Sequence, residues 1–123
     1  MTHEKEVAYI SGAITHDPNY KQKFANAQTV LEYLGYVVLN PTSTPLGLTY
    51  DEYMRIDLLS VEIADTLVML PDWMRSDGAT VEHDHAVKLG KRVIAYRGMQ
   101  TESPLAAKAE LKEWLTEYMI KNS

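Results

Sequence analysis

Residues 7–12 read Val7-Ala8-Tyr9-Ile10-Ser11-Gly12, a short apolar run that ends in a serine-glycine pair. An apolar segment from Val7 to Ile10, bounded by that pair, predicts a buried strand entering a tight turn. Downstream, Asp17-Pro18 supplies a helix cap and a first-turn proline, and Phe24, Ala27, Leu31 and Leu34 recur at helical spacing until Gly35 ends the segment. Tyr36 to Leu39 then predicts a second strand. The resulting order is strand, helix, strand, the unit that joins parallel strands and covers one face of their sheet.

The same alternation continues to the end of the chain. Asn40-Pro41-Thr42-Ser43-Thr44-Pro45-Leu46-Gly47 carries two prolines and a glycine and reads as a loop. Thr49 and Glu52 have the spacing of a reciprocal capping box, which predicts a helix through about Ser60 and carries Asp57 toward the mouth of the sheet. Thr66 to Leu70 and Arg92 to Tyr96 predict a third and a fourth strand, separated by a helix from Ala79 to Leu89 that Gly90 ends. Ser103-Pro104 opens a final helix along which Leu105, Lys108, Leu111, Leu115 and Met119 are spaced. The expected fold is α/β: one domain over residues 1–123, a mostly parallel sheet with helices on both faces, flavodoxin-like or Rossmann-like. Open sheets of this kind take ligands beyond the carboxyl ends of their strands, where the strand order reverses. Tyr9 to Gly12, Asn40 to Gly47 and Pro71 to Gly78 are therefore expected around one cleft.

Composition narrows the chemistry. With 123 residues, the chain has room for one sheet-and-helix domain and little for a separate substrate domain. Seventeen acidic against twelve basic residues, a formal charge of -5, disfavour a nonspecific grip on a nucleic-acid polymer but leave a small phosphorylated metabolite open. The absence of cysteine excludes disulfides, thiolate catalysis and cysteine-ligated metals. No apolar run has membrane length, and the start Met1-Thr2-His3-Glu4-Lys5-Glu6 lacks a secretory apolar core, so the expected compartment is the cytoplasm. Glu82-His83-Asp84-His85 is metal-like in composition only, because successive helix positions point in different directions. No metal is expected, and with no phosphate loop and no dinucleotide fingerprint, no cofactor either.

The ordered pieces together carry a resemblance. Tyr9-Ile10-Ser11-Gly12-Ala13-Ile14, Asn19-Tyr20, Gly35-Tyr36-Val37-Val38-Leu39-Asn40-Pro41, Asp57, Leu70-Pro71-Asp72-Trp73 and Ser76-Asp77-Gly78-Ala79-Thr80-Val81-Glu82 follow one another over residues 7–96. In that order and spacing the chain resembles the nucleoside 2-deoxyribosyltransferase superfamily, particularly its small phage and bacterial branch, often described as a domain of unknown function. The resemblance implies cleavage or transfer at the N-glycosidic bond of a deoxynucleoside or its 5′-monophosphate. It implies Glu82 as the nucleophile on the anomeric carbon, Asp57 as the acid that positions the base or handles its proton, and Tyr9 as the residue that orients the carboxylate. For a phage protein, the compartment it implies is the host cytoplasm.

Each of these residues also has a plainer reading. A glutamate early in a helix favours the positive helix end, an aspartate caps turns, and a tyrosine on an apolar strand packs its ring. Ser11-Gly12 and Ser76-Asp77-Gly78 offer hydroxyls and backbone amides to ribose or phosphate oxygens, or simply form turns. The resemblance implies Ser11 and Ser76 as 5′-phosphate contacts, although Gly12-Ala13 stands where the vertebrate-type monophosphate hydrolases have Gly-Ser. Asp72 is read as holding ribose hydroxyls or as solvating its loop, and Trp73 as stacking on a base, packing locally or meeting another subunit. Arg55, Arg75 and Arg97 are candidate phosphate counter-charges, with Arg75 nearest the loop. Leu105, Leu111, Leu115 and Tyr118 are candidates for a homo-oligomer interface, and Asn122 for a contact with a neighbouring subunit's pocket. The leading expectation is an N-glycosidase or deoxyribosyltransferase acting on a nucleoside or nucleotide, with neither nucleic acid nor membrane as partner. The alternative is a catalytically inactive nucleotide-binding or protein-interaction domain of the same fold.

Overall fold

The computed structural model describes residues 4–96. The expected C-terminal helix and interface residues, together with Arg97 and Asn122, lie outside the described residues.

Within them, seven elements alternate: β1 (Val7–Ser11), α1 (Tyr20–Tyr33), β2 (Val37–Leu39), α2 (Tyr50–Ile63), β3 (Thr66–Met69), α3 (Asp77–Lys88) and β4 (Arg92–Ala95). Three-residue 3-10 turns, Pro41–Ser43 and Trp73–Arg75, follow β2 and β3. All four strands are parallel in the order β2-β1-β3-β4, with Tyr9 in register with Leu39 on one side and Leu67 on the other. The α/β sheet expected from the alternation is the one the chain forms.

Strand parity decides which helix meets which side chain. Along β1, Ala8 and Ile10 join Phe24, Ala27 and Leu31 of α1, while Val7 and Tyr9 face Val61 and Ala64 from α2's end and Ala86 of α3. Thus α1 covers one face and α2 with α3 the other, as right-handed crossovers to opposite sides of β1 require. Ser11 continues the parity of Tyr9 and is equally buried.

Helix starts differ in detail from the sequence reading. Helix α1 begins at Tyr20 with Asn19 in the cap position, so Pro18 precedes the helix instead of opening it. The physical reason is that the Asp17 carboxylate accepts from Asn19 N at 2.9 Å and pairs with Lys23, forming a local turn one step earlier. Helix α3 starts at Asp77, two residues before the expected Ala79, because the Ser76 hydroxyl accepts from Ala79 N at 3.1 Å and acts as N-cap. The capping box forms as expected: Thr49 and Glu52 exchange hydrogen bonds, and α2 runs on to Ile63.

Candidate active site

Between β1 and β3 the chain's strand order reverses, and the segments leaving those strands diverge. A cavity of about 460 Å³ opens there, within the roughly 300–1,000 Å³ of ordinary ligand pockets. All three cleft segments expected from the sequence contribute to its wall: Gly12 after β1, Pro41 to Leu46 in part after β2, and Arg75 to Gly78 before and within α3. Helix α2 adds Tyr50, Tyr53, Met54 and Asp57 at i, i+3, i+4 and i+7, a single helix face. Helix α3 adds Ala79 and Glu82.

Glu82 is the buried acid of this wall, only 5% exposed. Its two oxygens are held by two hydroxyls of β1: Tyr9 donates to Oε2 at 2.8 Å and Ser11 to Oε1 at 2.6 Å. Strand parity explains the pairing, since residues two apart on β1 face α3 together. Two donors favour the carboxylate anion, but burial opposes it more strongly. The nearby Asp57 carboxyl adds to burial, and Glu82 is pushed up to about 8. Burial likewise raises Asp57, against the hydrogen bonding of Glu82 and Tyr9 that lowers it. Two carboxyls this close resist ionising together, so near neutral pH the pair holds one proton. Burial, and then the two carboxyls, push the Tyr9 phenol well above its ordinary range, which keeps it a donor.

The remaining sequence-predicted residues separate by place. Gly12, Arg75, Ser76 and Gly78 line the cavity. Gly12 is packed so closely that an added Cβ would fall 2.9 Å from Leu70 Cβ, whereas a Cβ on Gly78 would meet Met54 Sδ at 3.4 Å. Asp72 and Trp73 are engaged by the protein outside the lining. Asp72 Oδ1 accepts from Ala13 N at 3.2 Å, and Oδ2 pairs with Lys23 Nζ, which also donates to Asp17 and to Ala13 O. This tie fastens the β1 exit to the β3 exit and to α1. The Trp73 ring stacks on His83 with centroids 4.4 Å apart. Arg55 is exposed on α2.

Sequence reasoning missed Tyr50, Tyr53 and Met54, although their spacing from Asp57 along a capped helix was a readable signal. It also missed Lys23, whose partner Asp72 is 49 positions away and gave no local sign. His16, a cavity residue with φ of 67°, had no signal beyond its loop position. Among the described residues, no three His, Asp or Glu side chains converge as metal ligands. No helix among them is long and apolar enough to cross a membrane.

Residues 6–95 match the family described as domain of unknown function, DUF4406. The chain belongs to that family. Among solved structures, the DUF4406 chain resembles a 2-desoxiribosyltransferase from Leishmania mexicana at 19% identity and a TM-score of 0.62, over 74% of this chain and 63% of that one. It thus spans less than two thirds of the Leishmania protein. A 2-deoxyribosyltransferase from the psychrotolerant bacterium Bacillus psychrosaccharolyticus matches at 20% identity and 0.62, over 82% and 79%. The Clostridium botulinum CMP N-glycosidase BcmB matches at 16% and 0.61, over 89% and 100%. These likenesses establish the shared fold. No curated protein matches the chain.

Proposed function

We propose that this DUF4406 protein cleaves or transfers the N-glycosidic bond of a deoxynucleoside or deoxynucleoside 5′-monophosphate, with Glu82 as nucleophile. The observation that carries the reading is the buried Glu82 carboxylate, gripped by Tyr9 and set beside Asp57 in the wall of a ligand-sized cavity. Solved relatives that act as deoxyribosyltransferases and as a CMP N-glycosidase support the same class of bond.

In the first step a Glu82 oxygen bonds to the anomeric carbon as the bond to the base nitrogen breaks, and the departing base takes a proton from Asp57. The product is a glycosyl ester on Glu82 and a free base. In the second step water, or an incoming base in transfer, attacks the same carbon, gives its proton to Asp57 and releases the carboxylate. Burial raises Glu82 to about 8, so at neutral pH the pair's one proton rests on Glu82, and attack requires it to pass to Asp57, leaving the nucleophile ionised and the donor protonated. Arg75, Ser76 and Gly78 at the start of α3 support contact with the sugar or a 5′-phosphate. A cysteine-free, acidic composition supports the cytoplasm as the place of action.

The test is base-resolved chromatography and mass spectrometry of the protein with deoxyribonucleosides and their 5′-monophosphates, with and without an acceptor base, beside Glu82→Gln. Free base that depends on Glu82 identifies hydrolysis, and a new base-sugar product identifies transfer. Stoichiometric binding without bond cleavage across both panels would overturn the reading in favour of an inactive binding domain.

A further inference from the structure

We propose that Ser11 is a positioning residue for the nucleophile: its hydroxyl, buried on β1, fixes Oε1 of Glu82 while Tyr9 fixes Oε2, and it makes no contact with substrate. This rests on the reading of Glu82 as nucleophile and departs from a phosphate-binding role for the serine.

The geometry supports it in three ways. The Ser11 side chain is 0% exposed and lies outside the cavity lining, so a ligand there does not reach it. A serine hydroxyl has one proton to donate, and here it goes to Glu82 Oε1 at 2.6 Å, a short bond that strengthens when the carboxyl ionises. The partner is attached through α3 and the donor through β1, so the bond ties the nucleophile's helix to one of the two inner strands of the sheet. With Tyr9 on the other oxygen, the carboxylate plane is set by two donors from one rigid strand.

Two consequences follow. Ser11 limits rotation of the Glu82 carboxylate, and it favours the ionised form against burial. The titratable groups facing Glu82 are Tyr9 from β1 and Asp57 from α2, and His16, Tyr20, Tyr50, Tyr53, Arg75 and Asp77 share the cavity lining. Burial holds the Glu82 carboxyl up, and the hydrogen bonds from Ser11 and Tyr9 oppose that rise.

The deciding experiment follows the Glu82 side-chain carboxyl by carbon-13 NMR as pH is raised, in protein labelled at glutamate Cδ and assigned with Glu82→Gln. In Ser11→Ala, Glu82 is expected to titrate about one to two pH units higher than in the wild type, as loss of a bond to a charged group implies. An unchanged midpoint overturns the proposal. Where a substrate is turned over, kcat near pH 7 is expected to fall about tenfold or more with KM within roughly threefold, and the ascending limb of the pH profile to move up with the NMR midpoint. A shifted midpoint with an unmoved limb and unchanged kcat, or a loss confined to KM, also overturns it. If Ser11→Ala does not fold, Ser11→Cys, which keeps a weak donor, carries the same test with a smaller upward shift expected. Absence of turnover by the wild type would count against the proposed reaction alone, because the titration reads Glu82 without substrate.

Discussion

Tyr9 and Glu82, 73 positions apart in sequence, meet through a 2.8 Å hydrogen bond from the phenol to Oε2. The bond exists because β1 presents Tyr9 to the face covered by α3, and because Glu82 stands on the buried side of that helix. Tyr9→Phe keeps the ring in the core and removes only the donor. A bond to a charged acceptor is worth roughly 1.5–3 kcal/mol, so kcat is expected to fall about 10- to 100-fold with little change in KM. Steady-state kinetics beside thermal unfolding checks this, and a loss of stability that accounts for the activity lost would reduce Tyr9 to a packing residue.

Glu82 makes folding depend on pH in a stated direction. Its carboxyl is raised from the ordinary 4.5 to about 8 in the folded chain, and burial raises Asp57 too. Between those values the unfolded chain has released a proton that the folded chain still holds, so folding takes up a proton. The favourable contribution is complete below about 4.5 and is lost as pH rises through about 8. Wild-type Tm is therefore expected to decline from pH 5 to pH 9, and Glu82→Gln to flatten the decline and be the more stable protein at the alkaline end. Equal slopes in the two proteins would mean that Glu82 ionises as freely folded as unfolded.

Gly12 has no room for a side chain. A Cβ there would sit 2.9 Å from both Cβ and Cδ1 of Leu70, and Leu70 is fully buried against α1's layer. Its Cβ cannot yield without moving the backbone that follows β3. Gly12→Ala is expected to cost about 1–3 kcal/mol by overpacking, seen as a lower midpoint in denaturant unfolding with the slope unchanged. Wild-type stability would show that the two exits separate freely.

The sheet and its helices were legible because period-2 and period-3.6 patterns are local, and because caps such as Thr49 with Glu52 declare themselves within four residues. The candidate acids were legible only through the ordered motifs, not through chemistry, since nothing near Glu82 in sequence marks it as buried. Parity along β1 already placed Tyr9 and Ser11 on one face, yet the face that α3 would cover depends on crossover direction. The roles of Asp17, Asp72 and Lys23 were hidden for another reason. Their carboxylates and ammonium are joined across the β1 exit, the β3 exit and α1, and a lysine signals no partner 49 positions away. Asp17 therefore looked like a helix cap until Lys23 claimed it.

Trp73 shows how place in the fold decides between base stacking and packing. Its ring lies 4.4 Å from the His83 ring at an interplanar angle of 18°, and it packs against the core layer that holds Tyr9 and Ala86. Position 83 follows Glu82 on α3, so its side chain turns about 100° away from the direction of the acid. The stack is therefore a contact of the protein with itself. Trp73→Leu keeps apolar bulk and removes a ring pair worth roughly 0.5–1.5 kcal/mol beyond area burial. A Tm lower by several degrees, with KM for nucleoside or nucleotide within about twofold, is the expected pattern. A KM raised tenfold at unchanged Tm would instead place the indole on the substrate and require the turn Trp73–Arg75 to reorient when the cavity fills.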